Sequence, residues 1–174
     1  NNVSSPFGSP TPDLTSTGTN VQWYDASMAP VFSGTPFPTG QTAIGTYTYY
    51  ATQTLNNCES ATDIAILTIY PGAPIGTGGT VCFGQPVPDL TATGTNIQWW
   101  SNPALTILAG TGSPFATTQT VVGTYTYYVT QTVNFIQSPS DTVTLTITPL
   151  PLAPTSANQS ACFGGIIPTL TATG

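Results

Sequence analysis

The sequence predicts an all-β chain, built as an elongated array of small tandem β-sandwich domains. Three observations predict it. First, the chain repeats itself. Pro12-Asp13-Leu14-Thr15 returns as Pro88-Asp89-Leu90-Thr91, Gly18-Thr19-Asn20-Val21-Gln22-Trp23 as Gly94-Thr95-Asn96-Ile97-Gln98-Trp99, and Gly45-Thr46-Tyr47-Thr48-Tyr49-Tyr50 as Gly123-Thr124-Tyr125-Thr126-Tyr127-Tyr128. A third copy opens at Ala161-Cys162-Phe163-Gly164 and reaches Leu170-Thr171-Ala172-Thr173-Gly174. A period of roughly 76–80 residues is a whole small domain. Second, Thr, Val, Ile, Tyr, Phe and Trp dominate, and Gly and Pro recur at short intervals, which is strand chemistry with turn punctuation. Third, each copy holds about seven short candidate strands, enough for two packed sheets.

The expected units are 1–71, 72–149 and a partial third copy over 150–174. In the first unit the candidate strands are 13–17, 20–25, an irregular one over 30–37, 45–54 and 62–70. In the second they are 89–93, 96–101, an irregular 105–115, 123–132 and 141–148. Alternation assigns the faces, because successive strand side chains point to opposite sides. Val21 and Trp23 point inward, with Ile97 and Trp99 as their counterparts. Tyr47, Tyr49 and Ala51 point inward, with Tyr125, Tyr127 and Val129. The last strands turn Ala65, Leu67 and Ile69, or Val143, Leu145 and Ile147, to the core. The expected core is therefore centred on Trp23, Tyr47, Tyr49, Trp99, Tyr125 and Tyr127. On the outer face the first copy has Ile64, Ile66 and Thr68 where the second has Thr142, Thr144 and Thr146. Pro71-Gly72-Ala73-Pro74 and Pro149-Leu150-Pro151-Leu152-Ala153-Pro154 read as short, stiff linkers, because proline fixes φ.

Composition excludes several functions. The chain has no Lys, Arg or His and six acidic residues. Nucleic acid needs cations to displace its counterions, and an anionic membrane surface needs them too. A Ser-His-Asp or Cys-His centre lacks its base, and a nucleotide phosphate loop lacks its lysine. No apolar run approaches the roughly 20 residues of a membrane span, and no signal peptide is visible. Charged residues are 3% of the chain, against about a quarter in ordinary domains. So sparse a charge gives little electrostatic protection against association. It suits a protein that assembles or is coated with sugar. The lack of Lys and Arg also removes every trypsin-type cleavage site. No cofactor, nucleic acid or membrane insertion is expected, and no enzymatic activity.

A lone Trp on an early strand, followed by a Gly-x-Tyr-x-Tyr strand, resembles the immunoglobulin fold. There the Trp packs on the inter-sheet core, and a tyrosine corner lies at the Tyr47 and Tyr125 positions. The wording of the motifs resembles the immunoglobulin-like repeats of large secreted and surface proteins of Bacteroidota, which carry patterns of the type VCxG…PxLTATGTNIQWY…GTYTYYVTQT…CES. The resemblance covers nearly the whole chain. It implies an exported stalk, adhesin or fibre module at the cell surface, without a catalytic site. It also implies two cysteines per repeat, one before Phe-Gly and one after the Tyr strand. Here the first copy has Cys58 but Pro6, the second has Cys82 but Ile136, and the third has Cys162. Cys58 and Cys82 fall in different units, too far apart for the roughly 4.4–6.8 Å Cα separation of a disulfide.

Candidate contact residues follow from these differences. Ile64 and Ile66 form an apolar pair on an outer strand face, as lateral packing needs. Tyr24 and Trp100 are outward neighbours of the core tryptophans, placed either to stack on a ligand or to be shielded by their own loops. The partial third copy carries Phe163, Ile166 and Leu170. It is either the opening of a further repeat or a segment that completes a neighbouring subunit by strand addition. In the latter case Cys162 is a candidate intersubunit disulfide partner of Cys58. Among the carboxylates, Asp13 and Asp89 read as turn chemistry, and Glu59 and Asp63 as a hydrated hairpin loop rather than a glycosidase pair. No calcium-type run exists. Asn2-Val3-Ser4 and Asn158-Gln159-Ser160 match the N-glycosylation sequon, and Thr142 in Asp141-Thr142-Val143 is a candidate O-glycosylation site. The expected role is a structural subunit of an extracellular fibre or adhesin stalk that associates with itself, and possible glycan partners are either attached sugars or ligands. The alternative is a carbohydrate-binding module of a larger secreted protein.

Overall fold

The computed structural model describes residues 2–173; Asn1 and Gly174, the outermost residues of the expected units, lie outside them. The first unit contains β1 (Asn2–Pro6), β2 (Gln22–Tyr24), β3 (Pro30–Ser33), β4 (Gly45–Thr52), β5 (Thr54–Leu55), β6 (Cys58–Glu59) and β7 (Asp63–Tyr70). Five of these form one sheet in the order β1-β7-β4-β2-β3. β1 runs parallel to β7, and the other pairs are antiparallel. β5 and β6 make the small hairpin between β4 and β7.

The second unit repeats this plan and adds a strand. It contains β8 (Ile75–Thr77), β9 (Gly79–Cys82), β10 (Thr91–Thr93), β11 (Gln98–Trp100), β12 (Leu108–Thr111), β13 (Gly123–Thr130), β14 (Thr132–Val133), β15 (Ile136–Gln137) and β16 (Asp141–Thr148). Its main sheet has the order β12-β11-β13-β16-β9, and β8 pairs with β10 apart from it. In the third copy β17 (Thr155–Ser156) pairs only with β18 (Ala172–Thr173).

Period-2 alternation decides which face is buried. Ala65, Leu67 and Ile69 are buried on β7, and Val143, Leu145 and Ile147 on β16. Trp23 and Trp99 are almost wholly enclosed, at 1% and 0% exposure. Their indole N–H groups donate to Gly34 O and Gly112 O, at 2.9 and 2.8 Å. Tyr47 and Tyr125 are half-buried against the cores, and each hydroxyl donates to a carbonyl four residues back, Ala43 O at 3.0 Å and Val121 O at 2.9 Å. That is the tyrosine corner. The chain is thus built of immunoglobulin-like β-sandwich domains.

The second layer of the first sandwich is thinner than the sequence predicts, whereas in the second unit β10 (Thr91–Thr93) lies within the strand expected over 89–93. The strand expected over 13–17 reduces to one bridge, Leu14 with Phe37, and its counterpart is Leu90 with Phe115. Prolines explain this: Pro10, Pro12, Pro36 and Pro38 flank the bridge, and proline cannot donate to a ladder. The irregular strand expected over 30–37 stops at Ser33, because Gly34 turns the chain at φ 105°. The bridge returns Phe37 to the core, where its ring lies 5.4 Å from Trp23 and 5.2 Å, edge-on, from Tyr49. Phe115 sits likewise between Trp99 and Tyr127.

Truncating this cluster has a stated consequence. Trp23→Ala or Trp99→Ala is expected to destabilise its unit by about 3–5 kcal/mol, and Tyr47→Phe or Tyr125→Phe by about 1 kcal/mol. Urea unfolding followed by circular dichroism measures both.

Candidate interaction site

The outer face of the first sheet carries a row of large side chains. Register places Tyr24 beside Tyr50, and Tyr50 beside Ile64. The next row is Thr48, Ile66 and Asn2. Ile64 is half exposed and Ile66 partly covered. In the second unit the same rows read Trp100, Tyr128 and Thr142, then Thr126 and Thr144. Thr142 is exposed. The two outer faces differ in chemistry while sharing one backbone.

Tyr24 and Trp100 are both half-buried and tied to their own hairpins. The Tyr24 hydroxyl donates to Glu59 Oε1 at 2.6 Å, and Thr52 Oγ1 donates to the same oxygen at 2.7 Å. Trp100 Nε1 donates to Thr130 Oγ1 at 2.9 Å, and Gln137 Nε2 to the same hydroxyl oxygen at 3.1 Å. The hydrogen bond from Tyr24, then that from Thr52, holds the Glu59 carboxyl below its ordinary range. The same bond to Glu59 raises the Tyr24 phenol. Around Tyr24 lies an open groove of about 810 Å³, lined also by Asn20, Gln22, Ser33 and Glu59.

The remaining carboxylates serve local structure. Asp25 Oδ1 accepts from Ser27 Oγ, Ser27 N and Ala29 N, and its carboxyl is lowered chiefly by the Ser27 hydroxyl. Asp141 Oδ1 accepts from Thr142 N, and Oδ2 from Gly76 N. Asp13 is exposed beside the Leu14 bridge. Among the described residues no group of three or more His, Cys, Asp or Glu is placed to hold a metal.

The cysteine positions lie at opposite ends of each sheet. Pro6 pairs with Tyr70 at the end of β7, whereas Cys58 sits in the hairpin that precedes Asp63 at its start. In the second unit Cys82 pairs with Thr148, and Ile136 sits in the opposite hairpin. An eight-residue strand separates the two positions by roughly 25 Å. A Cys162 docked in the place of Pro6 would lie at the opposite end of that domain from Cys58. All three cysteines are exposed free thiols.

The two units meet through the second unit's hairpin. Asn134, in the turn between β14 and β15, donates from Nδ2 to Ile44 O at 3.1 Å. Ile44 precedes Gly45, which pairs with Ile69, so the hairpin bearing Ile136 faces the sheet end bearing Pro6. The linker is seated as well. Gln131 Nε2 donates to Gly72 O at 2.8 Å, and Gly76 N to Asp141 Oδ2 at 2.9 Å. β8 then pairs with β10. A Cβ on Gly76 would come within 2.2 Å of Val143 Cγ2 and 3.1 Å of Val129 Cγ1. The equivalent place in the first unit is an open groove of about 690 Å³, lined by Thr15, Ser16, Thr17, Ala51, Thr52, Gln53, Ser60, Ala61 and Asp63. Repeat spacing alone does not reveal this strand, since Ile75-Gly76-Thr77-Gly78-Gly79 has no alternating pattern. In the third copy Phe163, Ile166 and Leu170 are exposed; Leu170, at 76%, is the repeat equivalent of Leu90, at 0%.

No family model matches the chain, and no curated protein matches it. Among solved structures, the crystal structure of the N-terminal four Ig domains of Dscam1 isoform 1.9 aligns at 12% identity with a TM-score of 0.33. The alignment covers 85% of this chain and 43% of that one, so the chain spans under half its length. No described helix is long and apolar enough to cross a membrane.

The Glu59 bridge gives a pH prediction. Its folded pKa lies below the unfolded value, so its stabilisation is complete above the unfolded pKa and is lost as pH falls through the folded one. The first unit's melting temperature should therefore drop through the acid range. Glu59→Gln should flatten part of that drop, leaving the contribution of Asp25, whose carboxyl is lowered too. Melting curves from pH 7 downward, comparing the two proteins, check this.

Proposed function

We propose that this chain is a structural segment of an extracellular fibre or adhesin stalk, in which immunoglobulin-like units are joined end to end and associate with further copies. The observation that carries the reading is the junction. The Asn134 hairpin bonds to Ile44 of the first unit, while the linker and β8 are bonded into the second unit, which makes a serial connection suited to bearing load. The resemblance to surface repeats of Bacteroidota supports the same reading, as does a chain without Lys or Arg, which withstands trypsin-like proteases outside the cell. The reading includes no enzymatic activity and no cofactor.

The outer face of the first sheet supplies the lateral contact. Ile64 and Ile66 stand where the second unit has threonines, beside Tyr24 and Tyr50. Thr142, exposed on the second unit, is proposed as the O-glycosylated position, which would keep that face from packing in the same way.

The second reading is a carbohydrate-binding module, favoured by the groove that combines the Tyr24 ring with Asn20, Gln22 and Glu59. Electron microscopy of the native material, with glycan binding measured on the same preparation, separates the two. The fibre reading expects filaments or stalks with no saturable glycan binding. Isolated particles that bind sugar through Tyr24 would replace it.

Lateral packing has its own test. Ile64→Thr/Ile66→Thr should weaken association measured by sedimentation velocity several-fold while leaving the melting temperature within a few degrees. Unchanged association would remove these residues from the interface.

A further inference from the structure

The hairpin between β14 and β15 carries at its tip an aromatic ring that its own chain does not use. Asn134 and Phe135 form the two-residue turn, and both have left-handed backbones, at φ 50° and 63°. Asparagine tolerates that region, whereas a bulky residue there is an outlier. The first unit has Asn56-Asn57 in the same turn, at φ 51° and 60°. Phe135 thus occupies a position that suits asparagine, and its ring gains no packing in return. It is 103% exposed, although Asn134 beside it is seated on Ile44 O.

The facing end of the first unit has a hole of complementary chemistry. A cavity of about 500 Å³ opens there, walled by Phe7, Pro10, Thr42 and Ile69 among others. Phe7 is itself 57% exposed. Its N–H donates to Tyr70 O at 2.8 Å, directly before the linker, and Thr42 is two residues from Ile44. Knob and hole therefore both border the junction of the first and second units. β1 runs from the partner of Ile66 to the partner of Tyr70, so the hole lies at the end of the first sheet away from Asn2. Neither the lining of the hole nor the hairpin 132–137 contains a charged residue, so nothing there repels a second copy. With Asn134 seated, the Phe135 ring stays outside its own chain's hole, which leaves that hole to the ring of another molecule.

We propose that Phe135 of one copy enters the hole beside Phe7 and Ile69 of a second copy, whose own Phe135 enters the hole of the first. The pairing is isologous, because one chain carries both parts. This rests on the self-association reading and names one contact of it. The contact lies at the opposite end of the first sheet from Ile64. A phenylalanine buries about 150–250 Å², so two rings and the walls they cover bury roughly 600–1,000 Å², less than the lower limit of about 1,200 Å² for a standard interface. Two copies alone pair weakly, and repeated junctions along an array strengthen the pairing through effective concentration.

The test is sedimentation of the full chain at high concentration, comparing wild type with Phe135→Asn, Phe7→Ser and the double variant. Phe135→Asn installs the first unit's own turn, so the hairpin keeps a sequence that folds in this chain. Each single variant should raise the Kd for self-association about tenfold or more. The double variant should add little, because both changes remove one contact. Association unchanged in Phe135→Asn overturns the inference; if Ile64→Thr/Ile66→Thr still weakens it, the fibre reading stands without this contact. A wild type that stays monomeric also overturns the inference, whatever electron microscopy shows of the native material. The second arm places photoreactive benzoylphenylalanine at position 135. Crosslinked dimers should yield peptides joining position 135 to residues 7–11, 42 or 69. The same crosslinks within a monomer mean that the ring fills its own hole and overturn the inference, as do dimers crosslinked elsewhere.

Discussion

One wedge holds each unit together: the phenyl ring of Phe37, or Phe115, set between the core tryptophan and a tyrosine of the central strand. Leu14 and Leu90, wholly buried in the same cores, tie the covering layer to the five-stranded sheet's inner face beside it. Leu14 and Phe37 exchange two backbone hydrogen bonds, at 3.0 and 2.7 Å, and Leu90 and Phe115 do the same at 3.0 and 2.8 Å. Around that bridge the prolines prevent a longer ladder. The ring contacts therefore reinforce a short covering layer, each aromatic pair adding about 0.5–1.5 kcal/mol beyond its buried area. Gln41 and Gln119, which donate to the Tyr49 and Tyr127 hydroxyls at 3.0 and 3.2 Å, fix the third ring of each wedge.

Lack of cations shapes everything outside the cores. No side-chain ion pair can form, so each polar group that would elsewhere meet Lys or Arg meets a hydroxyl, an amide or the backbone. Glu59 takes two hydroxyls, Asp25 a hydroxyl and two backbone N–H groups, and Asp141 two backbone N–H groups. Hydrogen bonds to carboxylates are the stronger kind, and these are satisfied locally. The second unit has Trp100, Thr130 and Gln137 at the positions of Tyr24, Thr52 and Glu59, but there the Thr130 hydroxyl oxygen is the shared acceptor and Gln137 donates. The three positions stay linked while the charge is dropped and the acceptor moves.

Much of this was legible in the sequence, and the omissions have physical reasons. Alternation gave the inward faces of β4, β7, β13 and β16, because each is long enough for a period of two to show. The tryptophan and tyrosine-corner positions were legible because one residue type recurs at one place. Phe37 and Leu14 were not singled out: each acts through one residue in an otherwise irregular, proline-rich stretch, where no periodicity exists to read. Strand β8 was missed for a related reason. Its selection is steric, through Gly76 against Val143 and Gly78 against the Thr144 carbonyl, and a glycine needed for close approach looks like a glycine in a loop. The outward direction of Ile64 and Ile66 was legible, whereas the ties of Tyr24 and Trp100 to their hairpins were not, since Glu59 and Thr130 lie about 30 or more residues away.

The cysteine pattern shows how a sequence relation changes meaning once the sheet is built. The two cysteine positions that the resemblance implies for a repeat, each held by cysteine in one copy or another, invite a bond within each repeat. The parallel pairing of β1 with β7, and of β9 with β16, puts the first position at the far end of the sheet from the hairpin that carries the second. A bond within a repeat would have to span a full strand, and no side chain reaches that far. The same geometry places the two positions on facing ends of successive units. At the junction between the first and second units these positions hold Pro6 on one side and Ile136 on the other. Ile136 is half-buried there, whereas Cys58 in the equivalent hairpin is exposed. Taken singly, Pro6 and Ile136 look unrelated. Across the junction they belong together, because each stands at a sheet end that faces the other unit and neither side chain can form a disulfide with the other.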